Sequence, residues 1–205
     1  MSESVSTWLK DFLPRTPGAV RSVAKRELIN AAREFFRESG VWLHLDEGID
    51  FVAGTYAYTA TPPDSNSEIL QIYSIERNGL PMTPKVERPT GERESGTPLY
   101  WTADKAAFSI WPTPVNGDTT VIVRSILIPT AGTSVLPDMA ASKYYEAILD
   151  GSLARMYGHP AKPYSNPAYA TYHLNRFRNA IGVAAGERKT GGFSGQNWQY
   201  PSFAK

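Results

Sequence analysis

The chain has no cysteine in its 205 residues. Disulfides and thiolate metal sites are therefore excluded. Histidine is scarce as well, with His44, His159 and His173 the whole supply. No apolar run approaches the roughly 20 residues that a membrane-spanning helix needs. The first six residues are polar and lack a basic stretch leading into an apolar one, so a secretory signal is not expected. There is no P-loop, no Gly-x-Gly-x-x-Gly and no Gly-x-Ser-x-Gly elbow. Heptads and internal repeats are missing too.

Apolar residues make up 41% and charged ones 20%, enough to build a real core in one domain with arms. Sixteen prolines and sixteen glycines imply many turns. The net charge is only +1, but it is unevenly spread. Residues 42–100 carry nine acids against four bases, a balance of −5. Residues 151–205 carry seven bases against the single acid Glu187, a balance of +6. A subunit with two unlike faces is expected from this asymmetry, although solvated faces can also differ by chance.

Residues 1–16 read as an N-terminal arm, with Trp8, Leu9, Phe12 and Leu13 apolar before Pro14 and Pro17. Three main helices are predicted. The first spans 18–39, with Ala24, Leu28, Ala31, Ala32, Phe35 and Phe36 at three- and four-residue spacing and Gly40 as its stop. The second spans 137–157, after Leu136-Pro137-Asp138. The third spans 166–185, opened by Asn166-Pro167.

Between the first two lies a β-rich insertion, 43–128. Alternation over 43–60 reads as a hairpin divided at Gly54, and Arg77-Asn78-Gly79-Leu80 as a tight turn. Residues 83–98 read as a long loop. Asn116-Gly117 reads as a turn leading into the apolar strand 119–128. The expected class is thus α+β: a three-helix bundle with a β-rich insertion and an extended C-terminal tail, 186–205. That tail carries Phe193, Trp198, Tyr200 and Phe203, large aromatics that need a partner to be covered.

Chemistry is hard to find. His44-Leu45-Asp46 places an imidazole and a carboxylate on one face of a strand, without a nucleophile motif nearby. His173 has no second ligand at metal spacing. The acid pairs Asp46/Glu47 and Glu92/Glu94 lie in or near loops, where nothing fixes a catalytic separation. Trp42, Tyr56, Tyr58, Tyr73, Tyr100, Trp101 and Trp111 could line a sugar-binding face, but aromatics at period two are more often core. Arg176, Arg178, Arg188 and Lys189 could contact phosphates, an acidic partner or a charged lumen. No enzyme activity, cofactor or metal is expected.

One stretch, Ala31-Ala32-Arg33-Glu34-Phe35-Phe36-Arg37-Glu38-Ser39-Gly40-Val41-Trp42, resembles the opening of head-to-tail adaptor (connector, tail tubular A-like) proteins of tailed bacteriophages. Val52-Ala53-Gly54-Thr55-Tyr56, Gly96-Thr97-Pro98-Leu99-Tyr100, Ile110-Trp111-Pro112-Thr113-Pro114 and Tyr145-Glu146-Ala147-Ile148-Leu149-Asp150-Gly151 follow in the same order. The resemblance covers about residues 17–185, the adaptor domain.

It implies a non-enzymatic virion protein of the neck, assembled in the host cytoplasm. A homo-oligomeric ring of roughly twelve copies would sit beneath the portal protein, extend the channel for double-stranded DNA and seat the tail, nozzle or tail-tube protein. No membrane is involved. Portal binding would fall to Phe193, Trp198, Tyr200 and Phe203, and inter-subunit or channel charge to Arg176, Arg178, Arg188 and Lys189. The alternatives are another head-completion or tail-tube subunit, a carbohydrate-binding or adhesion module, and a hydrolase using His44.

Overall fold

A computed structural model describes residues 2–86, 94–117 and 121–190. The chain opens with β1 (Ser2–Ser4), α1 (Val5–Phe12) and a 3-10 turn over Leu13–Arg15, then α2 (Arg21–Ser39). The β-rich stretch follows: β2 (Leu43–Asp46), β3 (Ala57–Thr59), β4 (Ser67–Arg77), β5 (Leu80–Pro81), β6 (Thr83–Pro84), β7 (Ser95–Gly96), β8 (Tyr100–Asp104), β9 (Ala107–Trp111), β10 (Thr113–Pro114) and β11 (Val121–Pro129). The chain then runs through β12 (Val135–Pro137), α3 (Asp138–Ser142), α4 (Tyr145–Tyr157) and α5 (Pro167–Lys189).

This is a mixed α/β protein, not a three-helix bundle with an inserted β region. Among the described residues there are five helices and four sheets. The physical reason is the division of the core. One cluster joins Phe35, Phe36, Ile148 and Phe177 from the helices to Ile128 of β11. A second lies among the strands, built on Phe51, Ile75, Trp101, Phe108, Ile110 and Val123. Trp42 packs against both. The strands therefore carry a core of their own and share β11 with the helices.

The first sixteen residues are bound into the body rather than left as an arm. β1 pairs antiparallel with β12, and the Ser4 hydroxyl caps α1 by accepting from the Ser6 amide at 3.2 Å. Val5, Trp8, Leu9 and Phe12 recur on one side of α1 and are buried. The helix expected over 137–157 is broken at Lys143 and Tyr144. The break sends neighbouring rings to different partners: Tyr144 lies 4.8 Å from Phe35, and Tyr145 lies 4.5 Å from Trp8. α5 continues through Gly186 to Lys189, past the expected end at 185. Ala184 is buried and Glu187 is tied to Lys143, which holds that last turn in place.

The sheet order β2-β11-β4-β5 places β2 at an edge, and the second four-stranded sheet runs β3-β9-β8-β6. The hairpin expected over 43–60 therefore does not form, because β2 pairs with β11 and β3 with β9. Nor does Asn116-Gly117 join two paired strands: β10 pairs parallel with β7 instead. Arg77-Asn78-Gly79-Leu80 does close a two-residue hairpin, with φ of 51° at Asn78 and 75° at Gly79.

Candidate interaction surfaces

The four cations singled out in the sequence all lie on α5, but they do not share a face. Arg176 turns toward α4, where its Nε lies 3.1 Å from Asp150 Oδ2 in an ion pair. Arg188 lies over the end of α2: a Cβ at Gly40 would sit 2.6 Å from its Nη1. Gly40 has a left-handed φ of 63°, and it is this conformation that favours glycine there, since the Arg188 tip can move aside. Arg178 and Lys189 are exposed, on the side away from buried Phe177 and Ala184. The helix thus splits its charge. All four are exposed, but Arg176 pairs with Asp150 and Arg188 lies over Gly40, whereas Arg178 and Lys189 point away from both.

Tyr169, 56% exposed, lies 5.8 Å from Tyr157 of α4, and Tyr172, 54% exposed, accepts from Arg176, so both tyrosines are engaged within the chain. The outward face carries Val183, 57% exposed. Asn175, Asn179, Gly182 and Gly186 lie on the same side, and a Cβ at Gly182 or Gly186 would meet nothing within 4 Å. A glycine inside a helix costs about 1 kcal/mol relative to alanine, and no packing among the described residues accounts for these two.

Sequence reasoning missed the group at the inner side of α5. Asp150 is buried on α4, and its carboxylate meets His173 Nδ1 at 2.7 Å as well as Arg176. The His173 ring stacks on Tyr157 at 5.6 Å. Asp150 and His173 are 23 positions apart, and only the packing of α4 on α5 unites them. A burial requirement at position 150, between Leu149 and Gly151, was the available signal. Nearby, the Lys143 ammonium donates to Glu187 at 2.8 Å, and this bond is the main cause holding the Glu187 carboxyl below its ordinary range. The two pairs close the ends of a cleft of about 430 Å³ floored by Ala147, Ala180 and Ala184. On the opposite face, Arg155 links α4 to Glu27 and Glu34 of α2.

The other sequence candidates do not converge. Asp46 accepts from the amides of Gly48 at 3.0 Å and Thr61 at 3.1 Å, so it closes a turn. His159 lies 3.9 Å from Glu27 and its ring 6.5 Å from that of Tyr164. Of the aromatics weighed as a sugar-binding face, Trp101 is core, and Tyr58 packs between Phe51 and Phe108. Tyr73 is exposed on the other sheet, so they form no single platform. Among the described residues, no group of three or more His, Asp or Glu side chains could hold a metal ion. Phe193, Trp198, Tyr200 and Phe203 lie outside the described residues, as does Glu92.

A second open surface is the edge strand β2. Leu43 is 44% exposed and Leu45 53%, pointing out from the same side of the strand. Cross-strand, they face Ile126 and Arg124, and Arg124 is held by Glu76 of β4. Exposed edges with apolar side chains are normally protected by lysine, proline or a covering element. β2 has neither residue. No protein-family model and no curated protein matches the chain.

Proposed function

We propose that the protein is a structural component of a tailed-phage virion, a head-to-tail adaptor. It assembles as a ring beneath the portal protein, extends the DNA channel and seats the tail or nozzle protein. The observation that carries this reading is the outward side of α5. A 23-residue helix buries only Phe177 and Ala184 fully, while its outward side presents Val183, the open Gly182 and Gly186, and the cations Arg178 and Lys189 to solvent. Open glycines in a long helix leave room for the backbone of a partner to approach it closely. The motif order described above supplies the identity of the assembly. The fold does not decide it, because one fold hosts many functions.

In this reading residues 191–205 supply portal contacts, with Phe193, Trp198, Tyr200 and Phe203 as aromatic anchors. DNA passes the ring without being read. The test is co-sedimentation with the portal protein of the same virus, using the full chain and a chain ended at Thr190. The full chain is expected to sediment with portal and the shortened one to remain behind, with unchanged thermal unfolding. Equal capture of both contradicts the assignment of the aromatic segment, and capture of neither contradicts the adaptor reading.

A further inference from the structure

The two open surfaces are complementary in charge as well as in apolar character. From Glu38 to Glu76 the sequence contains seven acids and no lysine or arginine. Within that span Glu68 is paired with Arg33, Glu76 with Arg124, and Asp46 is used on backbone amides. Glu47 and Asp50, just beyond β2, are exposed. α5 has the opposite balance: four bases and one acid, Glu187, which is paired with Lys143. Among its four exposed cations, Arg178 and Lys189 flank the stretch that contains Gly182 and Val183.

We infer that these surfaces meet between two copies of this chain: the outward side of α5 in one copy packs on the β2 edge of the next. This rests on the ring reading and names its contact. Leu43 and Leu45 provide an apolar ridge, and α5 offers Val183 beside positions where glycine leaves room for close approach. Arg178 and Lys189 then face Glu47 and Asp50, fixing orientation and excluding like-with-like contacts. The two surfaces are different patches, so the contact is heterologous. It repeats head to tail and closes into a ring if the rotation between copies permits. A second copy is the occupant favoured here because both halves of the complementary pair lie on the one chain.

The absence of cysteine makes the contact directly testable. Full-length Leu45→Cys and Val183→Cys proteins are mixed and cross-linked with a short bis-maleimide, alone and with portal present. The mixed pair is expected to link at least about tenfold faster than either variant with itself, an effect of the size that close complementary charges produce. Glu47→Lys with Asp50→Lys should suppress the link, and Arg178→Glu with Lys189→Glu in the other copy should restore it. Self-linking of Leu45→Cys as the main product overturns the inference, and so does suppression without rescue. A ring that forms with portal without the mixed link overturns this contact alone. Failure to form any ring with portal overturns the adaptor reading together with it.

Discussion

The ring of Phe177 on α5 lies against the α carbon of Gly151 on α4: a Cβ at position 151 would sit 2.7 Å from Phe177 Cε2. Phe177 is buried and also packs toward Phe35, so its ring has little freedom to retreat. Gly182, five residues further along α5, has nothing within 4 Å of its Cβ position. Gly151→Ala is therefore expected to destabilise the protein by about 1 kcal/mol, overpacking outweighing the gain in helix propensity. Gly182→Ala is expected to stabilise it by up to about 1 kcal/mol. Urea unfolding of both variants checks this, and equal shifts would contradict the packing described.

The amino-terminal helix makes a second contrast. Trp8 and Phe12 are fully buried, so Trp8→Ala is expected to cost about 3–5 kcal/mol. The Tyr145 hydroxyl donates to Asp11 at 2.6 Å, and burial followed by that bond pushes the phenol's pKa well up. Tyr145→Phe is expected to cost about 1 kcal/mol. The phenol titrates higher in the folded state than in the unfolded chain. Its contribution is thus complete below the ordinary tyrosine range and disappears as pH rises through the raised value. An arm merely resting on the surface would show neither loss in calorimetry.

Charge on α5 should separate by role. Arg176→Ala removes a partner of buried Asp150 and is expected to cost about 1 kcal/mol of stability, the figure being reduced for the half-exposed guanidinium. Arg178→Ala should change stability by less than about 0.5 kcal/mol. In sedimentation the order is expected to reverse, with Arg178→Ala weakening the proposed assembly with portal and reducing its salt dependence while Arg176→Ala does neither. Identical stability losses for the two variants would refute the division.

Acid should loosen the last turn of α5 first. Lys143 holds the Glu187 carboxyl below its usual range, so this contribution is present above the unfolded value of about 4.3 and is lost as pH falls through the lower folded one. Amide exchange over 184–190 is expected to accelerate below about pH 4 in the wild type. In Lys143→Met the onset should move up toward the ordinary carboxylate range. An onset unmoved by that change would show that the Lys143–Glu187 pair does not hold the turn.

Local signals made much of this fold legible. α2 is readable because its buried positions recur at helical spacing and Gly40 ends it in a left-handed conformation. The Asn78-Gly79 turn is readable because both residues tolerate positive φ. What could not be read is non-local. β2 and β3 alternate like a hairpin, but alternation says nothing about which strand pairs with which, and β11 claims β2 from about 80 positions away. α1 is too short for propensity to declare it, and it exists because Trp8 and Phe12 find a core. The same limit hid the Asp150–His173–Arg176 group. The basic character of α5 was visible in the sequence, but that Arg176 pairs with Asp150 while Arg178 points away required the packing of α4 against it.

The central claim is tested most directly by electron microscopy of the full-length protein incubated with its portal protein. The account predicts a closed ring of this chain, coaxial with the portal and continuous with its channel. Particles in which the portal stands bare, or in which this chain binds singly without neighbours, would contradict it.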